Sequence, residues 1–260
     1  MANKVTSILV TNHTEMEQCR CFPIPWTRDG DMFRFRGPDI SYNCVKHPEF
    51  YKDIACPEEI TSLITQGEIT DYSFLKRFSN LEQLYCYDAK NLHDIGFIET
   101  FDKLQYLAVD GANITDVTPI ANLIGKQEKI NQEKISNGSS PFLCSELKCL
   151  SITNSNVKDV SPFSGMKIGM NDFNFSFNQI EGIEPLCGVA PCNLFLQGNK
   201  IKDIRPYIEN YIRERYMMMT INFWDNPIET KLTNEEIQAL RKSRKVYLPE
   251  QCYTKEEANI

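Results

Sequence analysis

No run of apolar residues in this sequence approaches the ~20 that a membrane-crossing helix needs, so a soluble chain with no membrane association is expected. Glycine and proline are unexceptional, at 12 and 13 of 260 residues, which excludes collagen-like and low-complexity architectures. Histidine is scarce: three residues are all the neutral-pH bases available. Gly-rich phosphate loops, the His-Glu-x-x-His motif, nucleophile elbows and EF-hand loops are missing too, and nothing marks any cysteine as a nucleophile. The chain therefore reads as no enzyme and needs no cofactor. Positive charge is in deficit, 28 Lys and Arg against 35 Asp and Glu, giving a net charge of −7. Such a field repels nucleic acid and suits a basic partner.

The opening residues, MANKVTSILVTNHTEMEQC, have too short an apolar stretch for a secretion signal, so a cytoplasmic chain with reduced thiols is expected. Ten cysteines are too few for a disulfide scaffold and read mainly as small buried hydrophobes. One grouping offers zinc-type donors: Cys19 and Cys21, then Cys44 and His47. Cys-x-Cys is one residue tighter than the usual zinc pair, and unpaired core thiols are the competing reading.

What the sequence does have is a repeat. Apolar residues recur at positions 1, 4, 6, 11, 14, 17 and 20 of a unit of about 22 residues. One copy reads Leu104, Leu107, Val109, then Asn113-Ile-Thr-Asp-Val-Thr-Pro-Ile120 and Leu123. Others start at Leu81, Leu147, Met170 and Pro191, with weaker ones at Ile60 and Met218. Positions 4 and 6 alternate with polar neighbours as a short strand requires, so Leu107 and Val109 should point inward. No rung can bury its apolar side alone, and neighbouring rungs should stack into a solenoid with one continuous core.

These rungs resemble the leucine-rich repeat family, and the tail Ile-x-Asp-Ile/Val-x-Pro-apolar is similar to the class of roughly 22 residues found in bacterial internalins and in a phosphatase-regulating subunit of eukaryotes. The resemblance spans about residues 60 to 230. It implies an α/β solenoid of about seven rungs, one short parallel strand per rung, with a non-repeat cap at each end. It also implies that Asn178, Asn199 and Asn226 hydrogen-bond the backbone where the chain leaves its strand. Earlier rungs carry Ala89, Ala112 and Ser155 there, with Asn113 and Asn156 one place later.

The chain divides into an N-terminal cap or small module (1–59), the solenoid (60–230) and a C-terminal cap helix and tail (231–260). A hairpin is expected at Met32–Arg36 and a short helix from Pro48. Residues 124–144 read as a polar insertion, because the step from Leu104 to Leu147 is 43 residues. Tyr207, Ile208, Tyr211 and Ile212 should share the packed face of a helix. Thr233 and Glu236 form a capping-box pattern for a helix over 233–243, whose last turn would use the cations from Arg241 to Lys245.

Outward strand positions gather Tyr85, Tyr87, Asp88, Tyr106, Asp110, Asp172, Asn174, Phe177, Phe195, Gln197, Asn222, Trp224 and Asp225. Aromatic rings are what protein interfaces use as anchors. The expectation is a monomeric interaction scaffold binding a protein partner, one of basic character, on the concave sheet face. The alternatives are a regulatory subunit docking on an enzyme, or a repeat protein with a zinc-binding N-terminal module.

Overall fold

The computed structural model describes residues 7–11, 39–44, 48–52, 54, 56–67, 69–137, 146–214, 218–242 and 245–252, with backbone alone for 11 and 39–43. The hairpin expected at Met32–Arg36 lies outside the described residues, as do Cys19, Cys21 and His47.

Apolar residues two apart, flanked by polar ones, make strands, and the described residues contain ten in a single sheet. They are β1 (Ser7–Thr11), β2 (Asp39–Asn43), β3 (Ser62–Gln66), β4 (Gln83–Tyr87), β5 (Tyr106–Asp110), β6 (Cys149–Thr153), β7 (Ile168–Asn174), β8 (Val189–Phe195), β9 (Thr220–Asn222) and β10 (Lys245–Tyr247). Every pairing is parallel. The order is β2-β1-β3 and then sequential to β10, so the chain leaves β1 for the edge before returning to its other side. The sheet thus takes two strands from residues before 60 and one from the tail.

The sequence repeat sets the strand register. Leu63 pairs with Leu84, Leu84 with Leu107, Leu107 with Leu150, Leu150 with Phe173, Phe173 with Leu194 and Leu194 with Ile221, each at the fourth position of its rung. These side chains and, from β4 onward, those two residues on, such as Val109 and Leu196, are buried in one cluster running the length of the sheet.

The return side is built mostly of 3-10 turns, at Ser73–Arg77, Gly96–Thr100, Ser161–Phe163 and Glu184–Gly188. The aspartate of the repeat tail starts the segment in every rung but the one with Gly182 in its place. Oδ1 of Asp71, Asp94, Asp116, Asp159 and Asp203 accepts the backbone N–H two residues on, at 2.7–2.9 Å. Such a bond satisfies a donor that a helix start leaves without a partner. In two rungs the turn lengthens to a helix: α1 (Thr118–Ser136) and α2 (Arg205–Glu214). The expected insertion is thus helical through residue 136. In α2, Tyr207, Ile208 and Tyr211 are buried as expected, but Ile212 is exposed and Asn210 takes the buried place. The helix from Pro48 is a single 3-10 turn, Phe50–Lys52. The C-terminal helix α3 (Asn234–Leu240) has its full capping box: Thr233 Oγ1 accepts from Glu236 N, and Thr233 N donates to Glu236 Oε2. It ends earlier than expected, and Lys245 belongs to β10 instead of the helix end.

The asparagine ladder exists in the C-terminal rungs. Asn199 Nδ2 donates to Leu196 O and Phe175 O, both at 2.9 Å, while its Oδ1 accepts from Ile180 N at 3.0 Å. Asn178 and Asn226 repeat this arrangement. In the earlier rungs Ala89 and Ala112 are buried there, and an exposed row replaces the ladder: Asn91 donates to Ile69 O, Asn113 to Lys90 O, and Asn156 to Asn113 Oδ1.

Candidate binding face

Among the described residues no helix covers the sheet face turned away from the core, and strand alternation decides what that face presents. Because strands pair in register, side chains line up across them. One row runs Leu9, Ile64, Tyr85, Ala108, Ser151, Asn174, Phe195, Asn222, Tyr247. A parallel row runs Gln83, Tyr106, Cys149, Asp172, Asn193.

The ten expected site residues divide into two patches. Over β4 and β5 lie Tyr85, Tyr87, Asp88, Tyr106 and Asp110; over β7 to β9 lie Asp172, Phe177, Phe195, Trp224 and Asp225. Small polar residues separate them: Ser151 and Thr153 are buried on β6, and Asn174 and Ser176 are buried at and just past the end of β7.

The first patch is closed. Tyr85 is only 3% exposed, in a small cluster with Leu9, Ile64 and Ala108, against which Tyr87 and Tyr106 pack. Tyr85 is thus a floor residue and not the exposed anchor that alternation suggested. It does lie on the expected face, apart from the main core. Its ring stacks on Tyr87 at 6.4 Å between centroids. Burial pushes the hydroxyl of Tyr85 well above the ordinary tyrosine value, and its oxygen is buried with no hydrogen-bond partner. Asp110 Oδ1 accepts from Thr153 Oγ1 and Asn154 Nδ2, both at 2.7 Å. Asp88 is exposed.

The second patch is open. Phe177 is 48% and Trp224 54% exposed, Phe195 is half-buried and Asp225 is exposed. Asp172, half-buried, accepts from Asn193 Nδ2 at 2.8 Å and from Cys149 Sγ at 3.3 Å. Burial and the neighbouring Asp172 carboxylate raise the Cys149 thiol, which stays protonated at neutral pH. Sequence reasoning missed Tyr247, 45% exposed. It pairs with Asn222 on β10, and Val246 packs on the core, so Tyr247 faces the open side. Its strand is three residues long and outside the repeat, which left no periodicity to find it by.

Shortly after each of β3 to β9 one residue takes a left-handed conformation and turns the chain out of the sheet. Gly67, Asp88, Gly111, Asn154, Phe177, Gly198 and Asp225 fill this column, with φ between +48° and +86°. Glycine, asparagine and aspartate tolerate that region; a phenylalanine there is a genuine outlier. Backbone N–H groups of the column donate to the next rung, as from Asn154 to Ser176 O, Phe177 to Gln197 O and Gly198 to Trp224 O.

Of the zinc candidates only Cys44 is described, and it packs against the core with its thiol raised by burial. No group of three or more His, Cys, Asp or Glu among the described residues could hold a metal ion. None of the described helices is long and apolar enough to cross a membrane.

A parallel sheet stacked one strand per rung, with turns behind it and this face open, is an architecture found among solved structures. An internalin (inlF) from Listeria monocytogenes aligns over 75% of this chain and 55% of its own, with a TM-score of 0.56 and 20% identity. The fold is a leucine-rich-repeat solenoid. Internalin C2 from the same species aligns over 75% of this chain and 83% of its own, at a TM-score of 0.51 and 18% identity. No protein-family model matches the chain, and no curated protein matches it. At these identities the likeness to internalins is one of fold.

Proposed function

We propose that the protein is a non-catalytic, monomeric scaffold of the cytoplasm that holds a basic protein partner on the concave, open face of its sheet. One observation carries the reading. Five large hydrophobic side chains are exposed among the described residues, and three of them, Phe177, Trp224 and Tyr247, stand on this face. Exposed aromatics grouped on a rigid surface suit recognition, because little ordering entropy is lost when a partner docks. Four carboxylates border or lie on the face, from Asp88, Asp110, Asp172 and Asp225, against Lys245 at the β10 edge. That imbalance supports a basic partner. Raised thiols at Cys44, Cys86, Cys149 and Cys252 speak against an activated nucleophile. Cys44, Cys56, Cys86, Cys149, Cys192 and Cys252 form no disulfide, which suits a reducing compartment.

Affinity capture from native lysate with quantitative mass spectrometry tests the reading. Trp224→Ala should lose a partner that wild type enriches, while Glu181→Ala, on the loop side where Glu181 pairs with Lys158, should keep it. Loss with Glu181→Ala and retention with Trp224→Ala would move the site off the sheet face.

A further inference from the structure

The exposed patch sets a phenylalanine in a backbone conformation that the other rungs give to residues that tolerate it. Six of the seven left-handed column positions are filled by glycine, asparagine or aspartate, and Phe177 is the exception at φ +56°. The ring stays 48% exposed all the same. It lies across the next rung, where a Cβ on Gly198 would come within 2.4 Å of Phe177 Cδ1. Gly198 is thus fixed twice, by its own φ of +67° and by the ring above it. On the far side of Gly198, Trp224 is the most exposed large hydrophobic residue among those described, and Asp225 follows it in the same left-handed column. Strain held in place beside exposed aromatic surface marks a position shaped for something other than stability.

We propose that the lane from Phe177 over Gly198 to Trp224 is the selective part of the face, and that it takes an arginine or lysine side chain from an extended partner segment. This deepens the scaffold reading and rests on it. The two rings belong to rungs on either side of Gly198, so a cationic side chain laid along the lane meets aromatic surface on both flanks. Asp225 at its end and Asp172 on the neighbouring row supply the opposite charge, and among the column residues and paired strand rows of this half Lys245 on the edge strand is the only basic residue. An acidic segment would meet like charge at both carboxylates. Arginine combines a planar, weakly hydrated cation with stacking and fits best.

The test uses the full chain and a fluorescent dodecapeptide of alternating arginine and leucine, with a glutamate–leucine counterpart, read by anisotropy, and melting temperature measured alongside. Wild type should bind the arginine peptide and not the glutamate one. Phe177→Asn should weaken binding about tenfold and raise the melting temperature by ~3 °C as the backbone strain is relieved. Trp224→Ala should weaken binding similarly, and Tyr87→Ala should leave it within about twofold. Unchanged binding in Phe177→Asn overturns the proposal, as does failure of wild type to bind the arginine peptide. In both cases the scaffold reading survives if lysate capture still depends on Trp224. If capture is insensitive to Trp224 as well, both fail.

Discussion

The side-chain carbonyl of Gln127 accepts a hydrogen bond from the backbone N–H of Leu147 at 3.0 Å, while its amide donates to Leu104 O at 2.8 Å. Leu104 and Leu147 open consecutive rungs, and the long connection between them leaves backbone groups that a compact rung would pair. One buried glutamine on α1 satisfies both. Gln127→Leu keeps the volume and orphans these groups, which should cost about 2–3 kcal/mol in urea unfolding. Stability equal to wild type would mean the insertion is not tied down by this residue.

The two halves of the solenoid should respond differently to loss of an asparagine. Asn199→Ala strands Ile180 N in the interior and leaves Phe175 O and Leu196 O to the neighbouring Asn178 and Asn226 amides, and should destabilise by about 2 kcal/mol. Asn113 is exposed, and its side-chain bonds to Lys90 O and from Asn156 Nδ2 lie at the surface where water can replace them, so Asn113→Ala should stay within ~0.5 kcal/mol. Similar values for the two variants in denaturant titrations would refute a buried ladder confined to the C-terminal rungs.

Gly182 occupies the place that Asp203 holds one rung later, and the turn it precedes lacks the carboxylate cap. Its φ is not left-handed, and an added Cβ meets only the flexible carboxylate of Glu184, at 3.0 Å. Gly182→Asn should supply the cap and restrict the unfolded chain, stabilising by about 1 kcal/mol. Differential scanning calorimetry should show a higher melting temperature; a lower one would contradict the cap assignment.

Acid should weaken the return side first. Hydrogen bonds lower the carboxyl pKa values of Asp71, Asp116 and Asp203 from 3.8: the first chiefly through Ser73 N, the second through the Thr118 side chain, the third through the Thr230 hydroxyl. A folded pKa below the unfolded one gives stability that is present above the unfolded value and lost as pH falls through the folded value. The contribution of these groups should be flat near neutrality and decline below about pH 4. Replacing all three by Asn keeps the turns and should flatten that decline. An unchanged acid limb would show that other groups set it.

The rungs were legible because their core positions repeat, and the register from Leu63 to Ile221 follows directly from that spacing. β1, β2 and β10 were not, since each stands outside the repeat and owes its place to strand pairing that no core periodicity announces. Tyr85 shows the same limit at the site. Alternation assigns it a face correctly, but its burial depends on Leu9 and Ile64 from two other strands. Phe177 was legible as an outward aromatic, whereas its left-handed backbone was visible only in the fold.

The account stands on the open sheet face as the place where a partner sits. A photo-crosslinking amino acid at Gln197, on that face between Phe177 and Trp224, and separately at Glu181 on the loop side, locates the contact directly. Crosslinked partner from position 197 and none from 181 is the predicted result; crosslinking from 181 alone would contradict the account.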